Sequence, residues 1–159
     1  MNKPIEPAIL ALRKRLLSTS RVCFSSQPQA GSLSGWAGRG NGTVVAKMHA
    51  DNSLTFLESG RFRPEGAAES IAFHNVFRWT PQADTIVLSH ERRGIDAAVW
   101  LFDLVTADHE QGCDLISREA HLCGNDRYQA RLTFMAQGFD LEWTIQGPRK
   151  DEHLHYRYR

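Results

Sequence analysis

Two hydrophobic periods divide the chain. Near the N-terminus Ile5, Ile9, Leu12 and Leu16 recur at intervals of four, three and four, which lays one apolar stripe along a helix over residues 3–18. Pro4 suits its first turn, Asn2 is placed to cap it, and Ser18-Thr19-Ser20 favours its end. Further on the period becomes two. From Ile71 to Thr80 the alternation is strict, with Phe73, Asn75, Phe77 and Trp79 on one face and His74, Val76 and Arg78 on the other. Residues 43–49, 54–59, 85–90, 97–104, 115–123, 127–135, 139–146 and 152–158 read as further strands. Asp51-Asn52-Ser53, Pro81-Gln82-Ala83-Asp84, Gly124-Asn125-Asp126 and Gln137-Gly138 turn the chain between them. Residues 25–42 are rich in Ser and Gly and read as a loop with Gly35-Trp36 embedded.

Nine strands joined by turns, with no later helix, predict a mainly β protein. The sequential hairpins favour an antiparallel up-and-down β-barrel over a sandwich, because nothing calls for Greek-key crossovers. The expected organisation is a single domain over 1–159, with the helix at 3–18 and the barrel at 33–159. A closed sheet has no exposed edge, and its interior is either filled by side chains or holds a small ligand.

Composition narrows the function classes. At 159 residues, 42% apolar and with four Trp, the chain is long enough and apolar enough for a sizeable core. A net charge of +1 gives no electrostatic reason to expect nucleic acid or an anionic membrane as partner. Three cysteines with no Cys-x-x-Cys spacing read as reduced thiols. The apolar run Ala8–Leu12 is too short for an export signal and runs directly into Arg13-Lys14-Arg15, so the expected location is the cytoplasm.

Candidate chemistry gathers near the C-terminus. His121 and Cys123 lie two apart, so they share a strand face with Ser117 and Glu119; Asp126 follows in the turn and Tyr128 opens the next strand. Imidazole, thiol, carboxylate and phenol in one hairpin suit structural hydrogen bonding, contacts to a polar ligand, or metal ligation. Two ligands do not complete a metal site, and no metal residue is assigned. A Cys123–His121 thiolate pair is a further reading, without an oxyanion feature to support it. His153 and His155 share a face with Arg157; a solvated face and a chelating pair are the two readings, with Leu154, Tyr156 and Tyr158 turned to the core. Trp36, Phe73, Phe77, Trp79, Trp100, Phe102, Phe139 and Trp143 are expected to fill or line the interior. Gly38-Arg39-Gly40-Asn41-Gly42 precedes a strand rather than a helix and is not a phosphate loop.

The strands also carry a spacing of motifs: Phe56-x-Glu58-x-Gly60, Phe77-x-Trp79, Phe102-x-Leu104, His121-x-Cys123-x-x-Asp126-x-Tyr128, Trp143-x-x-x-Gly147-Pro148-x-Lys150-Asp151, and Tyr156-Arg157-Tyr158. Over roughly residues 35–159 this resembles a bacterial and fungal family of uncharacterised proteins with a lipocalin-like fold of the calycin group. Gly35 and Trp36 are adjacent, so the lipocalin opening Gly-x-Trp is not met. The resemblance implies a cavity-bearing barrel and no established activity or cofactor. The leading expectation is a barrel that binds a small, partly apolar molecule. His121, Cys123, Tyr128 and Asn75 would be its polar contacts, and Trp79, Trp100 and Trp143 its walls. A small isomerase- or lyase-type enzyme using His121 or Asp126 is the alternative, as is a haem- or metal-binding barrel with a histidine axial ligand. A homodimer is a possible assembly.

Overall fold

A computed structural model describes residues 3–29, 32 and 37–159. One helix, α1 (Pro7–Ser18), precedes eleven strands. These are β1 (Arg21–Pro28), β2 (Gly38–Met48), β3 (Leu54–Pro64), β4 (Ile71–Pro81), β5 (Ile86–His90), β6 (Val99–Thr106), β7 (Leu115–Ser117), β8 (His121–Cys123), β9 (Asp126–Phe134), β10 (Phe139–Gln146) and β11 (Asp151–Tyr158). Consecutive strands from β1 to β7 pair antiparallel, β7 pairs with β9, and β9, β10 and β11 follow in order. β11 returns to β1, with Val22 opposite Tyr158, and closes a barrel of ten strands. β8 pairs with β9 alone and forms a hairpin arm at one rim.

The up-and-down barrel expected from the alternation is the observed fold, with ten strands in the wall rather than nine. The added strand is β1, whose second half lies inside the stretch 25–42 read as a loop. Its residues Ser25-Ser26-Gln27-Pro28 carry loop chemistry, yet each pairs with a residue of β11. The barrel therefore starts at Arg21, not at 33. Gly38 to Gly42 also belong to a strand. Phe24 explains why: a Cβ on Gly40 would stand 2.3 Å from the Phe24 ring, so β2 is stripped of side chains where a neighbouring aromatic ring fills its place. The strand expected over 115–123 is two short ones. Arg118 N donates to Asp103 O and Ala130 N donates to Ser117 Oγ, which draws the backbone off the ladder between β7 and β8.

The helix is shorter than expected. It starts at Pro7 and follows Glu6, while Ile5 is exposed and Asn2 lies outside the described residues, as do Gly35 and Trp36. Its stripe is Ile9, Leu12 and Leu16, all fully buried. Glu6 N donates to Ala83 O at 2.8 Å in the β4–β5 turn, and Arg15 Nε donates to Gly138 O at 3.0 Å in the β9–β10 turn. The Arg15 guanidinium also lies 4.3 Å over the Phe134 ring. These contacts lay α1 across one end of the barrel as a plug. The opposite rim is framed by the β3–β4, β5–β6 and β10–β11 connections and by the β8–β9 hairpin.

Gly42 and Gly60 face each other across β2 and β3, and a Cβ on Gly60 would come 2.1 Å from Asn41 O and 2.6 Å from Gly42 Cα. Both obstacles are backbone and cannot swing away. Gly60→Ala is expected to lower unfolding free energy by about 1–3 kcal/mol, the usual range for overpacking; urea unfolding followed by tryptophan fluorescence measures it, and an unchanged midpoint would contradict the close approach.

Candidate active site: a buried carboxylate in an aromatic barrel

Strand alternation sorts the interior into two halves. At the helix end Phe56, Trp79, Phe102, Leu104, Leu132 and Phe139 are completely buried. Toward the rim, the inward-facing Phe24, Phe73, Asn75, His90, Tyr128 and Leu154 keep part of their surface accessible. The barrel is packed solid against α1 and loosens toward the other end.

Aromatic rings pack against one another through the interior between the halves. Phe24 stacks on Phe62 at 5.8 Å and on Tyr156 at 5.1 Å, and Tyr156 stacks in turn on Trp143 at 5.8 Å. Phe77 meets both Trp143 and Tyr156 edge-on. Tyr158 and Phe139 continue the stack, at 4.9 Å, into the packed end.

Glu58 stands in this setting with no exposed surface. Alternation along β3 puts it on the same face as Phe56 and Phe62. The Tyr158 hydroxyl donates to Glu58 Oε2 at 2.7 Å. Asn75, its register partner on β4, also favours the ionised carboxylate. Beyond the hydrogen bonds to Tyr158 and Asn75, Oε1 has no well-formed partner of its own among the described residues, and neither does the indole N–H of Trp143. Buried polar groups are nearly always paired, so these two atoms, with Trp79 Nε1 deeper in the core, are exceptions in the interior. Burial dominates the titration of Glu58 and pushes its pKa from the usual 4.5 to about 7, against the opposing effects of Tyr158 and Asn75. Burial, with the Glu58 charge beside it, raises the Tyr156 phenol; the same causes, Tyr156 and the Glu58 hydrogen bond hold the Tyr158 phenol well above the ordinary range.

The residues singled out from the sequence separate into three groups. Asn75 and Trp143 belong to the interior around Glu58. Trp79 is buried at the helix end between Phe56 and Phe139, 5.7 Å from each ring, and its indole N–H has no partner among the described residues. His121, Trp100, Tyr128 and Cys123 belong to the rim. The His121 ring packs at 4.8 Å on Trp100 and 5.7 Å on Tyr128, with Nδ1 buried and unpaired. It thus lies on the Tyr128 side of the hairpin, which packs against the core. Trp100 is exposed at the rim and donates to Asp103 Oδ1, and Cys123 is exposed. Asp126 lies 3.7 Å from Lys150. In the hairpin register Cys123 stands opposite Asp126 and His121 opposite Tyr128, so the four side chains share one face of the rim hairpin.

His153 and His155 take the outward face, as expected of a solvated strand. His155 Nε2 lies 2.8 Å from Asp140 Oδ2, and His153 Nε2 lies 3.5 Å from Glu142 Oε1. Among the described residues no group of three or more His, Cys, Asp or Glu is arranged to hold a metal ion. No described helix is long and apolar enough to cross a membrane.

Glu58, Tyr156 and Tyr158 were not singled out as site residues from the sequence. The signal for Glu58 was present: a charged residue between Phe56 and Phe62 on one face of a strand. Its meaning depends on β11 arriving beside it.

With this geometry in hand, comparison with known proteins adds a family. The family described as "Family of unknown function (DUF6314)" matches residues 23–159. The chain belongs to it. No match is found among the curated proteins or the solved structures. The matched span begins within β1 and includes every strand that closes the barrel and every residue around Glu58.

The Glu58 proton is tied to stability. Its folded pKa lies above its unfolded value, so the stabilising contribution is complete below pH 4.5 and is lost as pH rises through about 7. The loss by pH 8 is on the order of 3 kcal/mol. Denaturant unfolding at pH 5 and pH 8 is expected to show the wild type less stable at pH 8, and Glu58→Gln to remove most of that difference. Tyr158→Phe, which deletes the donor to the ionised form, is expected to move the loss to higher pH.

Proposed function

We propose that this protein binds a small, partly apolar molecule inside its barrel, entering at the rim opposite α1. The observation that carries the reading is the pair of unsatisfied polar atoms, Glu58 Oε1 and Trp143 Nε1, in an aromatic interior that stays partly accessible toward that rim. An apolar pocket with a few placed polar groups is the usual form of a small-molecule site. Phe24, Phe77, Trp143 and Tyr156 are the walls, Glu58 and Asn75 the polar contacts, and His121, Trp100 and Tyr128 the rim. The barrel is lipocalin-like in this functional sense, as a cup closed at one end.

A second reading has one observation in its favour. A buried carboxylate titrating near neutrality is suited to general acid–base work, so an isomerase-type barrel enzyme would use Glu58 rather than His121 or Asp126.

Binding is tested by incubating the purified protein with a metabolite extract, removing free small molecules, and recording native mass spectra with tryptophan fluorescence. The expected result is a discrete mass increment in the wild type that is absent when Ala130, on the inward face of β9, is enlarged to Trp. A bare mass with unchanged fluorescence at millimolar total metabolite would overturn the reading.

A further inference from the structure

Three carboxylates are buried in the described structure, and they differ in company. Glu91 is paired with Arg78, whose Nη2 donates to Oε1 at 3.2 Å. Asp140 is paired with Arg159 at 2.9 Å and lies against His155. Glu58, the most deeply buried of the three, has no cationic side chain beside it; Tyr158 and Asn75 are its polar neighbours, and both are neutral. Burying a carboxylate without a countercharge costs several kcal/mol, so the protein's treatment of Glu91 and Asp140 is the ordinary one and that of Glu58 is the exception.

Among the described residues the cation acting on the inward-facing groups is Lys150, in the β10–β11 turn, which is felt by Tyr128 and Glu152 at the rim and not by Glu58. No described inward position of a strand carries Lys or Arg. Arg39, Arg61, Arg63 and Arg157, on the strands that surround Glu58, all occupy outward register positions and are exposed. Tyr156 and Tyr158 face the carboxylate from β11 and Asn75 from β4; the next titratable groups on the inward face are His90, Tyr128 and Glu152, closer to the rim. The rings of Phe24, Tyr156, Phe77 and Trp143 add electron-rich faces, which attract cations and not anions. The interior is thus electrostatically one-sided.

We infer that the barrel's ligand is an organic cation: an apolar, aromatic-sized body bearing a protonated amine that donates to Glu58 Oε1 and supplies the missing countercharge. The unpaired Trp143 N–H calls in addition for one acceptor oxygen on that body. This inference rests on the reading of the interior as a binding site, and it adds the ligand's charge and donor group.

Three probes share a phenol ring and a two-carbon side chain and differ at its end: tyramine is cationic, tyrosol neutral and 4-hydroxyphenylacetate anionic. Calorimetric titration of the full-length wild type at pH 8 is expected to rank tyramine at least about tenfold tighter than tyrosol, the discrimination typical of one charge-assisted hydrogen bond. The anion is expected to bind weakest. Tyramine affinity is expected to rise about tenfold from pH 6 to pH 8, as Glu58 ionises while the amine stays protonated. Glu58→Gln should erase both the ranking and the pH dependence, whereas Arg39→Gln, on the outer face, should leave them unchanged. The ranking in the wild type stands as a test even where Glu58→Gln folds poorly. Equal binding of tyramine and tyrosol, tighter binding of the anion, or no binding of any probe would overturn the cation. The binding reading fails separately, when the metabolite extract also leaves the protein bare; a neutral or anionic molecule captured from that extract would sustain binding and overturn the cation.

Discussion

The meeting of β11 with β1 is the contact on which everything else depends. It turns a meander of hairpins into a barrel, in which β6 pairs with β7 only from Leu104 to Thr106 and β8 pairs with β9 alone. It also sets what stands inside. Tyr156 and Tyr158 enter the interior only because β11 pairs in the register that puts Tyr156 opposite Phe24 and Tyr158 opposite Val22. A shift of one residue would turn His155 and Arg157 inward and the two tyrosines outward.

The glycines of β2 answer the same closure. Aromatic rings from β1, β3 and β11 converge on one side of the barrel, and a full set of side chains on β2 would not fit among them. Gly40 leaves room for the Phe24 ring, and Gly42 lets the β2 and β3 backbones approach. The resulting stack runs from Phe62 through Phe24 and Tyr156 to Trp143, and the Glu58 charge acts on Tyr156 within it. The raised pKa of Glu58 is a consequence of that surrounding. The α1 plug completes the arrangement by packing one end with Ile9, Leu12 and Leu16.

Much of this fold was legible from local pattern. The strict alternation of Ile71 to Thr80 predicted which side of β4 faces the core, and Phe77 and Trp79 are buried there. Leu154, Tyr156 and Tyr158 were likewise expected inward, with His153 and His155 outward. Legibility failed where a strand lacks the usual signal. β1 has only Val22 and Phe24 as large apolar residues, and its Ser-Ser-Gln-Pro ending is the chemistry of a loop; pairing on both sides, with β2 and β11, overrides it. The His121–Cys123 segment was singled out because its polar residues are close in sequence. In the fold that closeness belongs to a rim hairpin, with Cys123 in solvent and His121 set against Trp100 and Tyr128.

The sequence by itself determined the class of fold, the capping helix and the facing of the strongly alternating strands, because a period of two or 3.6 is a property of neighbouring residues. Tertiary structure alone decided the closure through β1, the need for glycine on β2 and the identity of the polar centre. Glu58, Asn75, Trp143, Tyr156 and Tyr158 come from four strands separated by up to 100 residues, and no local pattern joins them. A carboxylate's chemistry depends on what surrounds it at a few ångströms. For Glu58 that surrounding is assembled only when the last strand returns to the first.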